Sequence, residues 1–238
     1  IPSFMFGLFT SLRQLKKENP NKETLLIPDQ GGWSGYQSIA EELNLKTEEY
    51  ETDLGIIKKL NIPNKTLAII VPNFPGYVGK NNMEKIEEMI PEETTMINDS
   101  SSGYFDGTGD IILASFGSPK VVNGVTGGII GCKDQFYQKI KPILSTGKIH
   151  PFNLKAIDIE LKEREKTLNT IFKYSKILKK ELASKNIEIV HRNRKNISVG
   201  ILSDKNPDPL YKTLRTDMNK SFIQNAHYTK GSTKKDTQ

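Results

Sequence analysis

Residues 94–133 read TTMINDSSSGYFDGTGDIILASFGSPKVVNGVTGGIIGCK, and this stretch decides how the rest of the chain is read. The apolar run Thr95-Met96-Ile97 leads to an acid, Asp99. A second run, Ile111-Ile112-Leu113-Ala114-Ser115-Phe116, delivers Lys120 inside a Gly/Ser/Pro loop. Both runs are continuous rather than alternating, the signature of strands covered on both faces in a mostly parallel sheet. An open α/β sheet presents its ligands at the carboxyl ends of such strands. Lys120 is therefore a candidate Schiff-base amine, since burial favours the neutral, nucleophilic form of a lysine. The ordinary alternative is a solvated loop lysine.

On the N-terminal side, Thr24-Leu25-Leu26-Ile27-Pro28 and Thr66-Leu67-Ala68-Ile69-Ile70-Val71 repeat the apolar-run pattern. Each is followed by a loop that carries one group able to meet a ligand. Trp33 stands among glycines after the first, where an aromatic face can stack on a flat ring. Asn73 follows the second, in a turn rigidified by Pro72, Pro75 and Gly76. Four strand-end loops thus hold Trp33, Asn73, Asp99 and Lys120. Helices are expected between the strands: one with its N-cap near Thr10 or Ser11, then 39–43, a short one over 54–60, 83–90 and 136–143. Gly7, Thr10 and Ser11 at a helix start form a candidate anion site. After Lys120, Gly127-Gly128-Ile129-Ile130 reads as a strand with close backbone contacts on one side.

The 238 residues divide into a main α/β domain over 1–150, a connector helix over 151–185, a small α+β lobe over 186–227 and a frayed tail over 228–238. The lobe is expected to contain strands at 187–190 and 197–202, a helix over 210–218 and an apolar pair at 222–223. The chain opens on Ile-Pro-Ser-Phe and reads as truncated at both ends. Its 34 Lys+Arg against 28 Asp+Glu give a net charge of +6. The charges are interspersed without an aromatic-laced basic stripe, which argues against nucleic-acid binding. Cys132 is the single cysteine, so no intrachain disulfide forms, and a reducing, cytoplasmic setting is the natural expectation. His150, His191 and His227 have no ligand spacing, so no metal site is expected. No run reaches the roughly 18 apolar residues of a membrane span.

With these residues in place, the pattern resembles the fold-type I pyridoxal 5'-phosphate (PLP) enzymes, and within them the DegT/DnrJ/EryC1 sugar aminotransferases. Pro72-Asn73-Phe74-Pro75-Gly76 is similar to the superfamily's Asn-Pro-x-Gly turn with one residue inserted. Ile97-Asn98-Asp99-Ser100 resembles its acid after a strand. Gly109-Asp110 followed by Ser115-Phe116-Gly117-Ser118-Pro119-Lys120 resembles the branch's Gly-Asp…Ser-Phe…Lys segment, and Gly127-Gly128-Ile129-Ile130 with Lys133-Asp134 the turn after it.

The resemblance implies a fold of a mostly parallel sheet between helices, and a reaction that moves an amino group from an amino acid to a keto-sugar or similar carbonyl. It implies an internal aldimine on Lys120, which then serves as the base. It pairs Asp99 with the pyridine nitrogen, stacks Trp33 on the ring and bonds Asn73 to the ring's phenolic oxygen. Gly7, Thr10, Ser11 and Ser115 would hold the phosphate. Asn153 resembles a motif that reaches the partner subunit's cofactor, implying a homodimer. The same residues leave open a PLP lyase of this fold, or a non-catalytic relative that binds or scaffolds. A desulfurase would need a mobile nucleophilic cysteine, and Cys132 falls in an expected strand.

Overall fold

The structure, a computed structural model, describes residues 1–202 and the backbone pairing of Thr229–Lys230. The first helix, α1, spans Phe4–Glu18 and is capped by Ser3, whose hydroxyl accepts from the Phe6 amide at 3.1 Å. The expectation of an N-cap at Thr10 or Ser11 is thus corrected. Phe4, Leu8, Leu12 and Leu15 recur at helical spacing and are all buried, so the amphipathic stripe begins well before Thr10.

Strand β1 (Thr24–Pro28) follows, then the two-residue β2 (Gly32–Trp33), α2 (Gly35–Glu42) and β3 (Lys46–Tyr50). Next come β4 (Thr66–Pro72), α3 (Met83–Glu87), β5 (Thr95–Asp99) and β6 (Ile111–Ser115). β7 (Gly128–Cys132), α4 (Asp134–Leu144) and the 34-residue α5 (Pro151–Ser184) follow. The strands form one sheet in the order β3-β1-β4-β5-β6-β7, parallel except for the antiparallel β6–β7 pair.

The sheet is apolar on both faces, as the continuous runs require. Leu25, Ile27, Ile70, Ile97 and Leu113 face one way and form a core with α1 and α2. Leu26, Ile69, Val71 and Met96 face the other and pack with Tyr50, Ile57, Met83 and Ile86. A third cluster joins Ala114, Phe116 and Val122 to Ile157 of α5. Gly128 explains the glycine pair in β7: a Cβ there would stand 2.4 Å from the Ala114 carbonyl oxygen and 3.3 Å from the Phe4 amide nitrogen. The close approach brings the start of α1 against the ends of β6 and β7.

Two further expectations are corrected. Residues 54–60 are not helical. Leu54 (φ 49°) and Gly55 (φ 92°) turn the chain back so that Asp53 pairs with Ile56. Ile57 and Leu60 still pack on the second core, which is why their spacing imitates a helix face. The strands expected at 187–190 and 197–202 reduce to a single bridge between Ile189 and Ile201. The helix over 210–218 and the pair at 222–223 lie outside the described residues. Of the tail expected to fray, Thr229–Lys230 forms β8 and pairs antiparallel with β2. Among the described residues no helix is long and apolar enough to cross a membrane, and no group of three or more His, Cys, Asp or Glu could hold a metal ion.

Candidate functional site

The carboxyl ends of β1, β4, β5 and β6 converge on a cavity of about 320 Å3. Its wall brings together four of the residues singled out in the sequence: Trp33, Asn73, Asp99 and Lys120. It also includes Tyr36, Tyr77, Ser101 and Ser102, to which the sequence pattern gave no weight. The site lies where parallel strands deliver their loops, as the topology demands.

Asp99 ends β5 with its carboxylate fixed at both oxygens. Oδ2 accepts from the Tyr36 hydroxyl at 2.5 Å and Oδ1 from the Ser101 amide at 2.9 Å. A carboxylate has about four lone-pair sites, so two donors leave room for a ligand N–H. Lys120 donates from Nζ to the Tyr77 hydroxyl at 2.6 Å. Trp33 is 37% exposed, and its ring meets those of Phe4 and Tyr36 edge-on, with centroids 5.7 and 5.8 Å away.

Asn73 reaches the cavity wall but is fully buried and fully engaged. Its amide donates to the Tyr104 carbonyl at 2.6 Å and to Ser100 Oγ at 3.3 Å, and its Oδ1 accepts from Ser102 Oγ at 2.8 Å. Neither amide hydrogen is left for a ligand's phenolic oxygen. The residue ties the β4 loop to the β5 loop, a correction to its expected role.

The expected phosphate group of residues divides. Gly7, Thr10 and Ser11 sit inside α1 rather than at its start, with Thr10 and Ser11 fully buried against the core. A Cβ on Gly7 would meet Leu113 Cδ2 at 2.9 Å, so the glycine serves helix-to-sheet packing. None of the three lines the cavity. Ser115 is half-buried at the end of β6, and its hydroxyl accepts from the Gly117 amide at 3.4 Å. Asn153, in the first turn of α5, donates to the Gly124 carbonyl at 3.0 Å and so pins the loop that follows Lys120.

Tyr36 could not be found by charge or spacing because it reads as one more core aromatic at the start of α2. Burial, and then the Asp99 carboxylate it donates to, push its phenol well above the ordinary tyrosine range. The unfolded chain ionises its tyrosines near pH 10, whereas folded Tyr36 keeps its proton beyond that. Its contribution to stability is therefore complete below about pH 10 and declines as pH rises further. Urea midpoints measured from pH 8 to 11 should fall less steeply above pH 10 for Tyr36→Phe than for the wild type; parallel curves would refute the assignment.

No protein-family model matches the chain, and no curated protein matches it either. Solved structures do. Helicobacter pylori PseC, an aminotransferase involved in pseudoaminic acid biosynthesis, matches with a TM-score of 0.71 at 12% identity, covering 96% of this chain and 77% of that one. A GDP-4-keto-6-deoxymannose-3-dehydratase, solved with a trapped PLP-glutamate geminal diamine, matches at 0.70 and 15% identity over 92% of this chain and 71% of that one. A protein assigned as an L-allo-threonine aldolase from Listeria monocytogenes EGD-E matches at 0.70 and 16% identity, over 91% and 68%. The likeness is one of fold. The mostly parallel sheet flanked by helices is the PLP transferase-like architecture expected from residues 94–133.

Proposed function

We propose that this chain is a PLP-dependent aminotransferase in which Lys120 holds the cofactor. The reading is carried by one observation: a primary amine, a fixed carboxylate and a half-exposed indole line the same cavity. A volume of about 320 Å3 lies at the lower end of the roughly 300–1,000 Å3 range of small-molecule sites. The donor set suits the group. Lys120 Nζ would be the nucleophile for its aldehyde carbon, Asp99 would partner its ring nitrogen, and Trp33 would give its ring a surface. Bound there, PLP supplies the electron sink that loosens the α-hydrogen of an amino acid.

The chain's own groups do the rest. Asp99 stays oriented because Tyr36 and Ser101 each hold one of its oxygens. Lys120 Nζ, as the base, would take the proton from the substrate's α-carbon and hold it for redelivery within the site. Of the residues expected to hold the phosphate, Ser115 at the end of β6 keeps that proposed role, while Phe4 of α1 supports the cavity wall through ring contacts with Trp33 and Tyr36.

The amino donor is proposed as an amino acid and the acceptor as a nucleotide-linked keto-sugar, on the strength of the Ser115-Phe116…Lys120 pattern and of the sugar-nucleotide enzymes among the fold neighbours. A lyase reading draws on the aldolases among those neighbours and keeps Lys120 and Asp99 in the same places. A homodimer in a cytoplasmic setting belongs to the proposal as well. Phe152 (72% exposed) and Leu154 (52%) flank Asn153 and offer an apolar surface for the second copy.

The test is direct. After incubation with PLP and borohydride reduction, peptide mass spectrometry should find the phosphopyridoxyl group on Lys120, and none on that peptide in Lys120→Ala. A folded protein whose Lys120 stays unmodified overturns the reading.

A further inference from the structure

Tyr77 combines three features found together at no other described residue. Its hydroxyl accepts from Lys120 Nζ at 2.6 Å. Its backbone is left-handed, with φ of 62°, a conformation costly for a residue with a Cβ. Its carbonyl oxygen accepts two amides at once, Ile197 N and Ser198 N, both at 2.9 Å. Strain of this kind persists only where the surroundings over-determine it.

The clamp is itself anchored. Asn196 is buried, accepts from Ser175 of α5 at 2.8 Å and donates to the Ser198 carbonyl at 2.9 Å. Lys179 of α5 donates to the Arg194 carbonyl at 2.7 Å, and Arg194 donates to the Lys80 carbonyl at 3.1 Å. A Cβ on Gly200 would stand 3.0 Å from Val78, so the segment lies close on the turn from Tyr77 to Lys80. A continuous set of bonds therefore runs from α5 through Asn196 and Tyr77 to the amine in the cavity.

We propose that Tyr77 is the positioning residue for Lys120, and that residues 196–198, held on α5, lock it in place. This rests on reading Lys120 as the cofactor's amine. Among the described residues the Tyr77 hydroxyl has Lys120 as its hydrogen-bond partner, and the Asp99 charge also acts on it. The phenol is pushed up by burial and drawn back by the Lys120 charge, which gives the contact a signature in protein without cofactor.

Two measurements decide it. In ultraviolet titration of the cofactor-free protein, Lys120→Met should raise the midpoint of one tyrosine, the one that Tyr77→Phe removes; an unmoved midpoint overturns the contact. In PLP labelling with borohydride, the other lysines of each sample serve as internal standards. Tyr77→Phe should lower the share of label on Lys120 about tenfold, the size of one lost charge-assisted hydrogen bond, with the remaining lysines unchanged. Tyr77→Gly and Tyr77→Ala both delete the ring, but only glycine relieves the backbone, so the glycine variant should have the higher thermal midpoint of the two while both lose the same share of label. Asn196→Ala should lose part of it. A wild-type share retained in folded Tyr77→Phe overturns the positioning role while leaving Lys120 as the cofactor's amine. A wild-type protein that labels other lysines but not Lys120 removes the site reading and this proposal with it.

Discussion

Asp99→Asn should retain borohydride-trappable PLP on Lys120 yet exchange the α-hydrogen of an amino acid about 100- to 1,000-fold more slowly, the loss typical of removing one preorganised electrostatic partner. The two effects separate because the two groups act on different atoms. Capture needs the Lys120 amine, which leaves the loop after β6 and bonds Tyr77. On the proposed reading, the electron sink would need a negative charge beside the ring nitrogen, and Asp99 would supply it. An asparagine keeps the shape: its Oδ1 can still accept from the Ser101 amide and its Nδ2 can donate to the Tyr36 hydroxyl oxygen, so only the charge is lost. Deuterium uptake at the α-carbon, followed by NMR across a panel of amino acids, reads the rate without knowledge of the acceptor. Wild-type exchange in Asp99→Asn would remove Asp99 from the chemistry. Loss of capture together with exchange would instead mark it as a structural anchor.

The sheet and its ligand-bearing edge were legible because both follow from short-range patterns. Apolar runs ending at Pro28, Pro72, Asp99 and Ser115 mark parallel strands, and position at a strand end is enough to put Trp33, Asn73, Asp99 and Lys120 on one cavity. What those side chains touch was less legible. Asn73 has the right place, but its amide is consumed by Ser100 and Tyr104, groups brought in by the neighbouring strand. Nothing in Pro75-Gly76-Tyr77 announces a left-handed tyrosine, and the groups its carbonyl meets, the amides of Ile197 and Ser198, lie 120 residues or more away in sequence. The helix start was misplaced for a local reason. Thr10 and Ser11 are good cap residues, whereas Ser3 lies seven positions before Thr10 in the sequence and caps a helix whose apolar stripe already includes Phe4 and Leu8. Residues 54–60 misled in the opposite sense, since a turn buried by Ile57 and Leu60 mimics a helical face.

The displaced helix start has a measurable consequence at Gly7. Leu113 is fully buried in β6 beneath α1, so Leu113→Ala alone should cost about 2–5 kcal/mol in lost burial and residual cavity. Gly7→Ala alone gains about 1 kcal/mol of helix propensity. Its new methyl, however, meets Leu113 Cδ2 at 2.9 Å and Ile1 Cδ1 at 2.6 Å, and overpacking costs about 1–3 kcal/mol. In the double variant the methyl enters space that Leu113 has vacated, the clash with β6 disappears, and the propensity gain remains. The double variant should therefore be more stable than the sum of the single changes by about 1 kcal/mol or more, the coupling of residues in contact. Urea midpoints of the four proteins close the cycle. If Gly7 instead met a phosphate, Gly7→Ala would weaken PLP labelling of Lys120 in either background and leave the two stability changes additive. A glycine packed on Leu113 does the reverse: the stability changes couple, and Gly7→Ala leaves the labelling of each background where it was.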